Sequence, residues 1–291
     1  MSSLTSSGLP IAQDRLTTKH IGHCIEVTNI DSDTRVDCFS LTLDGVVSPG
    51  SAPAPPETVP GLVLWLDADD ASTLTTDAFG VSAWLNKAST GITSVAQSTD
   101  SLKPDATGII NGKTSIVFDT DYLDGVAPVT TAGFTVFMVG RVTDASTFQA
   151  PFSIYNSSNP VLDFWGPLYE TDAGGAGQQE LARWRAVRGG ASSQAITASA
   201  FTIGQAHILT IVETSPTSRS IEIDSANQGT NTTSVAPLSI DSLRVGGGSP
   251  GAGEFLNLTE IGEMLVYDSV LSAGQINTIE QYLASAWGVT I

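Results

Sequence analysis

Glu222 and Asp224 alternate along Ile221-Glu-Ile-Asp-Ser-Ala-Asn227, a spacing that on a strand sets two carboxylates on one face. Cleavage of a glycosidic bond uses such a pair, one carboxylate as nucleophile or base and the other as acid. Ile221 and Ile223 alternate with them, which is the pattern of a surface strand with its acids in water and a polar turn after it. His207 opens the apolar run Ile208-Leu-Thr-Ile-Val212 with no Ser, Cys or Asp motif beside it, so no catalytic triad is expected. Gly246-Gly-Gly248 leads into Ser-Pro-Gly, and without a lysine or a helix start it is not a phosphate-binding loop.

Other residues could bind rather than react. Asp67, Asp69 and Asp70, and separately Asp119, Asp121 and Asp124, are hard oxygen ligands of the kind Ca2+ gathers, although neither set has EF-hand spacing and Asp is also a turn former. No organic cofactor is called for, and Ca2+ is the ion these clusters would suit. Trp165, Arg183, Arg185 and Arg188 are the candidate ligand contacts, since sugars stack on aromatic rings and offer hydroxyls to arginine. Alternation of Leu181, Arg183, Arg185 and Val187 against Ala182, Trp184 and Ala186 puts Trp184 opposite the arginines and predicts it in the core. His20, His23, Cys24 and Cys38 fall within nineteen residues, but not at a zinc-finger spacing, and His23 and Cys24 would point to opposite faces of a strand.

These residues need elements to hold them. Five of the fourteen prolines lie between Pro49 and Pro60 and divide the chain. Residues 1–47 are too few to fold on a hydrophobic core alone, and they read as an arm followed by a β-hairpin, Ile21–Asn29 with Arg35–Leu43, turning near Asp31. That turn would set Cys24 opposite Cys38, as a thiol pair or a disulfide. Residues 48–61 read as an extended proline-rich linker, and residues 62–291 as a self-sufficient domain.

In that domain ten short alternating runs predict strands: 62–66, 115–118, 135–142, 151–155, 162–165, 180–187, 207–213, 219–223, 241–245 and 260–267. One helix is expected, opened by a Ser272/Gln275 capping box, carrying Ile276, Ile279, Leu283 and Trp287 on one face and stopped by Gly288. The fold class is therefore all-β, a sandwich or jelly roll with one C-terminal helix. Twelve Lys plus Arg against thirty Asp plus Glu give a net charge of −18, which argues against nucleic acid and anionic membranes as partners. The opening residues lack a signal peptide's basic and apolar regions, so a place outside the cell would be reached as part of a virion released by lysis.

The segment Glu260-Ile-Gly-Glu-Met-Leu-Val-Tyr-Asp268, with Leu271-Ser272, Ile279-Glu280, Tyr282-Leu283 and Trp287-Gly288, resembles the closing strand and helix of concanavalin A-like, laminin-G-like jelly-roll domains. Leu64-Trp-Leu-Asp-Ala-Asp-Asp70 with Trp84 looks like their opening, and Ile116-Val-Phe-Asp119 and Phe134–Arg141 like their central strands. Laminarinase-type glycosidases of this fold carry Glu, an apolar residue, Asp, then a second Glu. Glu222 and Asp224 match the first two places, but Ala226 and Asn227 stand where the acid would be, leaving no proton donor for the leaving group.

Such domains recur in bacteriophage structural proteins, bacterial adhesins and appendages of carbohydrate-active enzymes. The resemblance, the anchor and the absent leader together imply a non-enzymatic virion protein of a tailed phage, either capsid decoration or a tail or fibre component. It would assemble as a homo-oligomer, a trimer, on capsid or tail proteins by strand addition at Ile25, Val27, Val36 and Leu41, and would offer its head to host-surface glycans. A bacterial carbohydrate-binding adhesin is the alternative, and an atypical glycoside hydrolase the third reading.

Overall fold

Apolar alternation builds strands at all ten expected places and the capping box builds the helix, while seven further strands arise among the described residues of 52–291. The computed structural model describes residues 53–143, 149–170, 181–197, 202–235, 237, 239–251 and 259–291, with four short strands further upstream. The chain divides into two units, residues 1–51 and 52–291.

In the first unit β1 (Thr5–Ser6) pairs with β2 (Leu9–Pro10), and β3 (Leu16–Ile21) pairs antiparallel with β4 (Cys24–Asn29). Ile25 and Val27 of the expected hairpin lie on β4, which pairs with Leu16–Ile21 and sets Cys24 opposite Ile21, while its expected second strand, Arg35–Leu43, lies outside the described residues. Val36, Cys38 and Leu41, and His23, lie outside the described residues.

The second unit runs through β5 (Leu62–Asp67), β6 (Leu74–Asp77), β7 (Gly80–Leu85), β8 (Ser94–Ala96), β9 (Asp105–Ile110) and β10 (Lys113–Phe118). It continues with β11 (Leu123–Val126), β12 (Phe134–Val142), β13 (Phe152–Tyr155), β14 (Asp163–Glu170), β15 (Leu181–Arg188) and β16 (Ala191–Ile196). The last strands are β17 (Ala206–Ser215), β18 (Ser218–Ile223), β19 (Asn227–Asn231), β20 (Ser242–Val245) and β21 (Thr259–Tyr267), followed by α1 (Ala273–Trp287). A back sheet takes the order β19-β18-β17-β12-β21-β10-β9, with β5 also on β21. A front sheet takes the order β16-β15-β14-β13-β20-β11-β8-β7-β6.

The inner faces of the two sheets enclose one core, in which Trp84, Phe134, Met138, Phe152, Trp165, Trp184 and Ile211 are fully buried. Each such side chain contributes roughly 1.5–3 kcal/mol by leaving water. The outer face of the back sheet carries a second core under α1, formed by Trp65, Phe137, Val139, Ile208, Leu265, Ile279, Leu283 and Trp287. β12 and β21 are therefore apolar on both faces, which is why they read as continuous hydrophobic runs. Ser272 and Gln275 form the capping box, and Gly288 ends the helix in the left-handed region at φ 64. Gly262 is required beneath the helix, because a Cβ there would stand 2.6 Å from the Trp287 ring.

The proline-rich linker also needs correcting. Pro56 starts a single 3-10 turn and is buried, Val59 joins the core under α1, and the Tyr267 hydroxyl donates to the Pro56 carbonyl at 3.0 Å. From residue 53 onward this stretch is part of the head's surface, since Val59 and Pro56 gain more by covering Tyr267 than an extended spacer would leave them. Among the described residues no helix is long and apolar enough to cross a membrane.

Candidate functional site

β15 places its residues as the alternation required: Ala182, Trp184 and Ala186 are buried in the core, and Arg183 and Arg185 are half-buried on the outward face of the front sheet. Trp165 sits opposite Ala186 in the register, so it shares the inward face; it is fully buried and packs edge-on against Phe134 at 5.2 Å. It is a core residue and no ligand contact, which removes it from the expected set. Arg188 is exposed where β15 turns into β16 through Gly189 and Gly190.

The outward face has an apolar cluster of its own, Tyr155, Phe164 and Val187, separate from both cores. The Arg185 guanidinium lies 5.2 Å from the Phe164 ring centre, within cation-π range. Arg183 Nη1 donates to Gln194 Oε1 on β16 at 3.2 Å. Burial, and then the neighbouring positive charge of Arg185, lower the Arg183 pKa. Farther across the sheet Arg244 makes a two-pronged ion pair with Asp124 at 2.8 and 2.9 Å and stacks 3.6 Å from the Tyr122 ring centre.

The acidic clusters are arranged for other work. Lys87 Nζ lies 2.8 Å from Asp67 and 3.0 Å from Asp70, and Lys113 pairs with Asp69. Lysine ammonium groups thus engage all three of these carboxylates. A Ser72 hydrogen bond, with Lys87, holds Asp70 down at about 2, and the Lys113 hydrogen bond lowers Asp69. These three are corrected from ion ligands to salt-bridge and turn residues. Asp119 is exposed, and Asp121 has a raised pKa from burial with the charges of Asp119 and Asp105 adding to it. Among the described residues no three His, Cys, Asp or Glu side chains converge as a metal site would need.

Glu222 and Asp224 lie on the helix side of the back sheet, away from the arginines, while Ile221 and Ile223 point into the core. Asp224 and Ser225 both take positive φ, 52 and 57, in a tight turn closed by Ala226 N–H donating to the Ile223 carbonyl at 3.2 Å. Asp224 is committed: one oxygen accepts from the Ile208 amide at 2.8 Å and the other meets His207 Nδ1 at 2.6 Å. Glu222 has its pKa raised by burial and then by Glu280, whose own carboxylate takes Thr210 at 2.6 Å and Ser225 at 2.7 Å.

The His207–Asp224 pair is a feature that sequence spacing did not reveal, and it borders a cavity of about 290 Å3. This cavity lies between β12, β17 and the residues that follow α1, with Arg141, Gln205, Val289 and Thr290 in its lining. His207 Nε2 faces the Thr202 carbonyl at 2.9 Å, so both ring nitrogens meet acceptors, an arrangement that favours the charged ring. Burial works against that charge, but the hydrogen bonds to Asp224 and Thr202 outweigh it and the pKa is raised. The Asn-Gly turn between β9 and β10, with Asn111 at φ 50 and Gly112 at φ 87, closes the cavity's edge. Asn111 Nδ2 donates to the Trp287 and Gly288 carbonyls at 2.8 and 3.2 Å, capping the end of α1.

Two antiparallel sheets packed face to face, with a helix closing the back one, define a concanavalin A-like, lectin-type sandwich. Solved structures share it. The sialidase of Trypanosoma rangeli in complex with the inhibitor DANA matches 79% of this chain at 14% identity and a TM-score of 0.52, over 35% of its own length. The Ruminococcus gnavus IT-sialidase CBM40 bound to alpha2,3 sialyllactose matches 52% of this chain and 83% of its own at 13% identity and a TM-score of 0.42. A mutant of the NanB sialidase from Streptococcus pneumoniae matches 56% at 15% identity and a TM-score of 0.46. The chain thus spans 27% of that NanB chain and 35% of the Trypanosoma enzyme, and the likeness to the latter is one of fold. No family model matches the sequence, and no curated protein does either.

Proposed function

We propose that the head is a non-catalytic carbohydrate-binding module whose ligand surface is the outward face of β15 and β16. The observation that carries this is the half-buried, side-by-side placement of Arg183 and Arg185, next to Gln194 and the Phe164 ring, in a chain with only 12 basic residues. A ligand rich in hydroxyls or carrying an acid group would add charge-assisted hydrogen bonds to these guanidinium groups. A binding role is favoured over hydrolysis because Asp224 is already taken by His207 and the Ile208 amide, and because Glu222 and Asp224 are on the other sheet.

A glycan array probed with the full chain tests the reading. Saturable binding is expected, weakened at least about tenfold in Arg185→Ala with the melting temperature unchanged. Absence of saturable binding to any acidic or neutral glycan would overturn it. Trp165→Ala is not a useful probe, since it would empty the core.

The segment before residue 52 is proposed as an attachment device. The β3–β4 hairpin favours this, because an isolated two-stranded ribbon is marginal in water and gains by adding strands from a partner. A virion setting, as capsid decoration or tail component in several copies, is the context we propose for it. Residues 52–291 produced alone are expected to be folded and monomeric by circular dichroism and size-exclusion chromatography. An unfolded or oligomeric product would mean that the division of roles at residue 52 is wrong.

A further inference from the structure

We infer that the cavity between β12, β17 and the residues after α1 is a second, independent ligand site, built for one acidic monosaccharide with a carboxylate on a pyranose ring. Its lining brings together Arg141 and His207, each already facing one carboxylate, Glu260 behind Arg141 and Asp224 beside His207. Arg141 is anchored from behind: Nη2 donates to Glu260 at 2.6 Å and to the Ile109 carbonyl at 3.0 Å, and Glu260 is itself held by Ser115 at 2.8 Å. Nε is buried without a partner, so Nη1 is the nitrogen left for a ligand carboxylate.

The remaining surface suits the sugar ring. Gln205 and Thr290 offer polar groups for hydroxyls, and Val289 and Ala206 give a small apolar wall for the ring's C–H face. Asn111 occupies the helix-end carbonyls of Trp287 and Gly288, which would otherwise bring the negative end of α1 to bear on an anion. A volume of about 290 Å3 is of a size to admit one sugar ring.

The test is an NMR titration of the isotope-labelled full chain with sodium D-glucuronate, D-glucose and sodium acetate. Glucuronate is expected to give saturable shifts at Arg141, Gln205 and Thr290, with glucose and acetate at least about tenfold weaker, because each lacks one half of the recognition. Arg141→Met should abolish the shifts. Thr290→Phe, which fills the cavity from an exposed lining residue, should do the same while the fold is kept. Arg185→Ala should leave them unchanged, so failure of the outer-face reading and failure of this one are separate results. The inference is overturned if glucuronate gives no saturable shift, if its shifts persist in both cavity variants, or if they fall on Arg183 and Arg185 instead.

Discussion

Arg219→Ala is expected to cost the head about 3–5 kcal/mol, a large share of the roughly 5–15 kcal/mol by which a domain is ordinarily stable. Arg219 is an inward-facing residue of β18 with its side chain fully removed from water, and its Nε and Nη2 grip Glu213 of β17 at 3.1 and 2.9 Å. Trp184, reaching from the opposite sheet, donates its indole N–H to the same carboxylate at 2.8 Å. The cluster thus ties the two sheets together in the middle of an apolar core. Removing the guanidinium leaves a carboxylate that burial already disfavours, with its pKa raised further and the Trp184 indole still donating to it.

The complementary variant makes the test specific. Replacing both partners together, Glu213→Leu with Arg219→Met, removes the charges along with their mutual attraction and should cost far less than either single change. Chemical denaturation of the three variants measures this. A single-variant loss below about 1 kcal/mol would mean that water reaches the pair in solution.

Little of this buried chemistry was legible in the sequence, and the reasons are physical. Strands covered on both faces announce themselves as apolar runs, so β12 and β21 were plain, and the capping box and the 3.6-residue stripe made α1 plain too. β6, β9 and β19 are edge or near-edge strands made largely of Thr, Asp, Gly, Gln and Asn, and such residues give no alternating signal. The Asn111-Gly112 pair was a readable hairpin signal for β9 and β10. Trp165 was misplaced because Phe164 and Trp165 are both apolar, so their own strand carries no phase. Only the register with β15, which sets Trp165 against Ala186, fixes which ring faces inward. Glu213 and Glu263 were passed over because single acids read as solvated. Yet each follows or interrupts a run of buried residues, Ile208–Ile211 before Glu213 and Ile261–Tyr267 around Glu263, and an acid at such a place has no water to turn to.

The stability of the head is expected to fall as pH rises from about 5 to 8, and Glu263 is the main cause. Its carboxylate lies under α1, 1% exposed, and accepts from Trp65 Nε1 at 2.7 Å, Trp287 Nε1 at 2.6 Å and the Tyr282 hydroxyl at 3.2 Å. Burial pushes it up from the ordinary 4.5 to about 7 despite those donors. A folded-state pKa above the unfolded one means that the folded protein holds the proton more tightly. That contribution is complete below the unfolded value of 4.5 and is lost as pH climbs through 7. Its size is on the order of 3 kcal/mol. The raised pKa of His207 acts in the same direction, its stabilising contribution being present below the ordinary 6.5 and lost at higher pH.

The lowered carboxyls Asp69 and Asp70 work on the other side. Their contribution is present above the ordinary 3.8 and is lost as pH falls through their folded values, about 2 for Asp70. The stability maximum is therefore expected near pH 4 to 5, well below neutrality. Thermal melts from pH 4 to 8 of the parent and of Glu263→Gln separate the causes. The amide cannot titrate, so the variant should lose most of the slope between pH 5 and 7. It should also be less stable at pH 5, since an amide accepts through one oxygen and leaves one of the two tryptophan N–H groups facing its NH2. A parent profile that is flat or rises over this range would show that Glu263 stays ionised beneath the helix, with its three donors outweighing its burial.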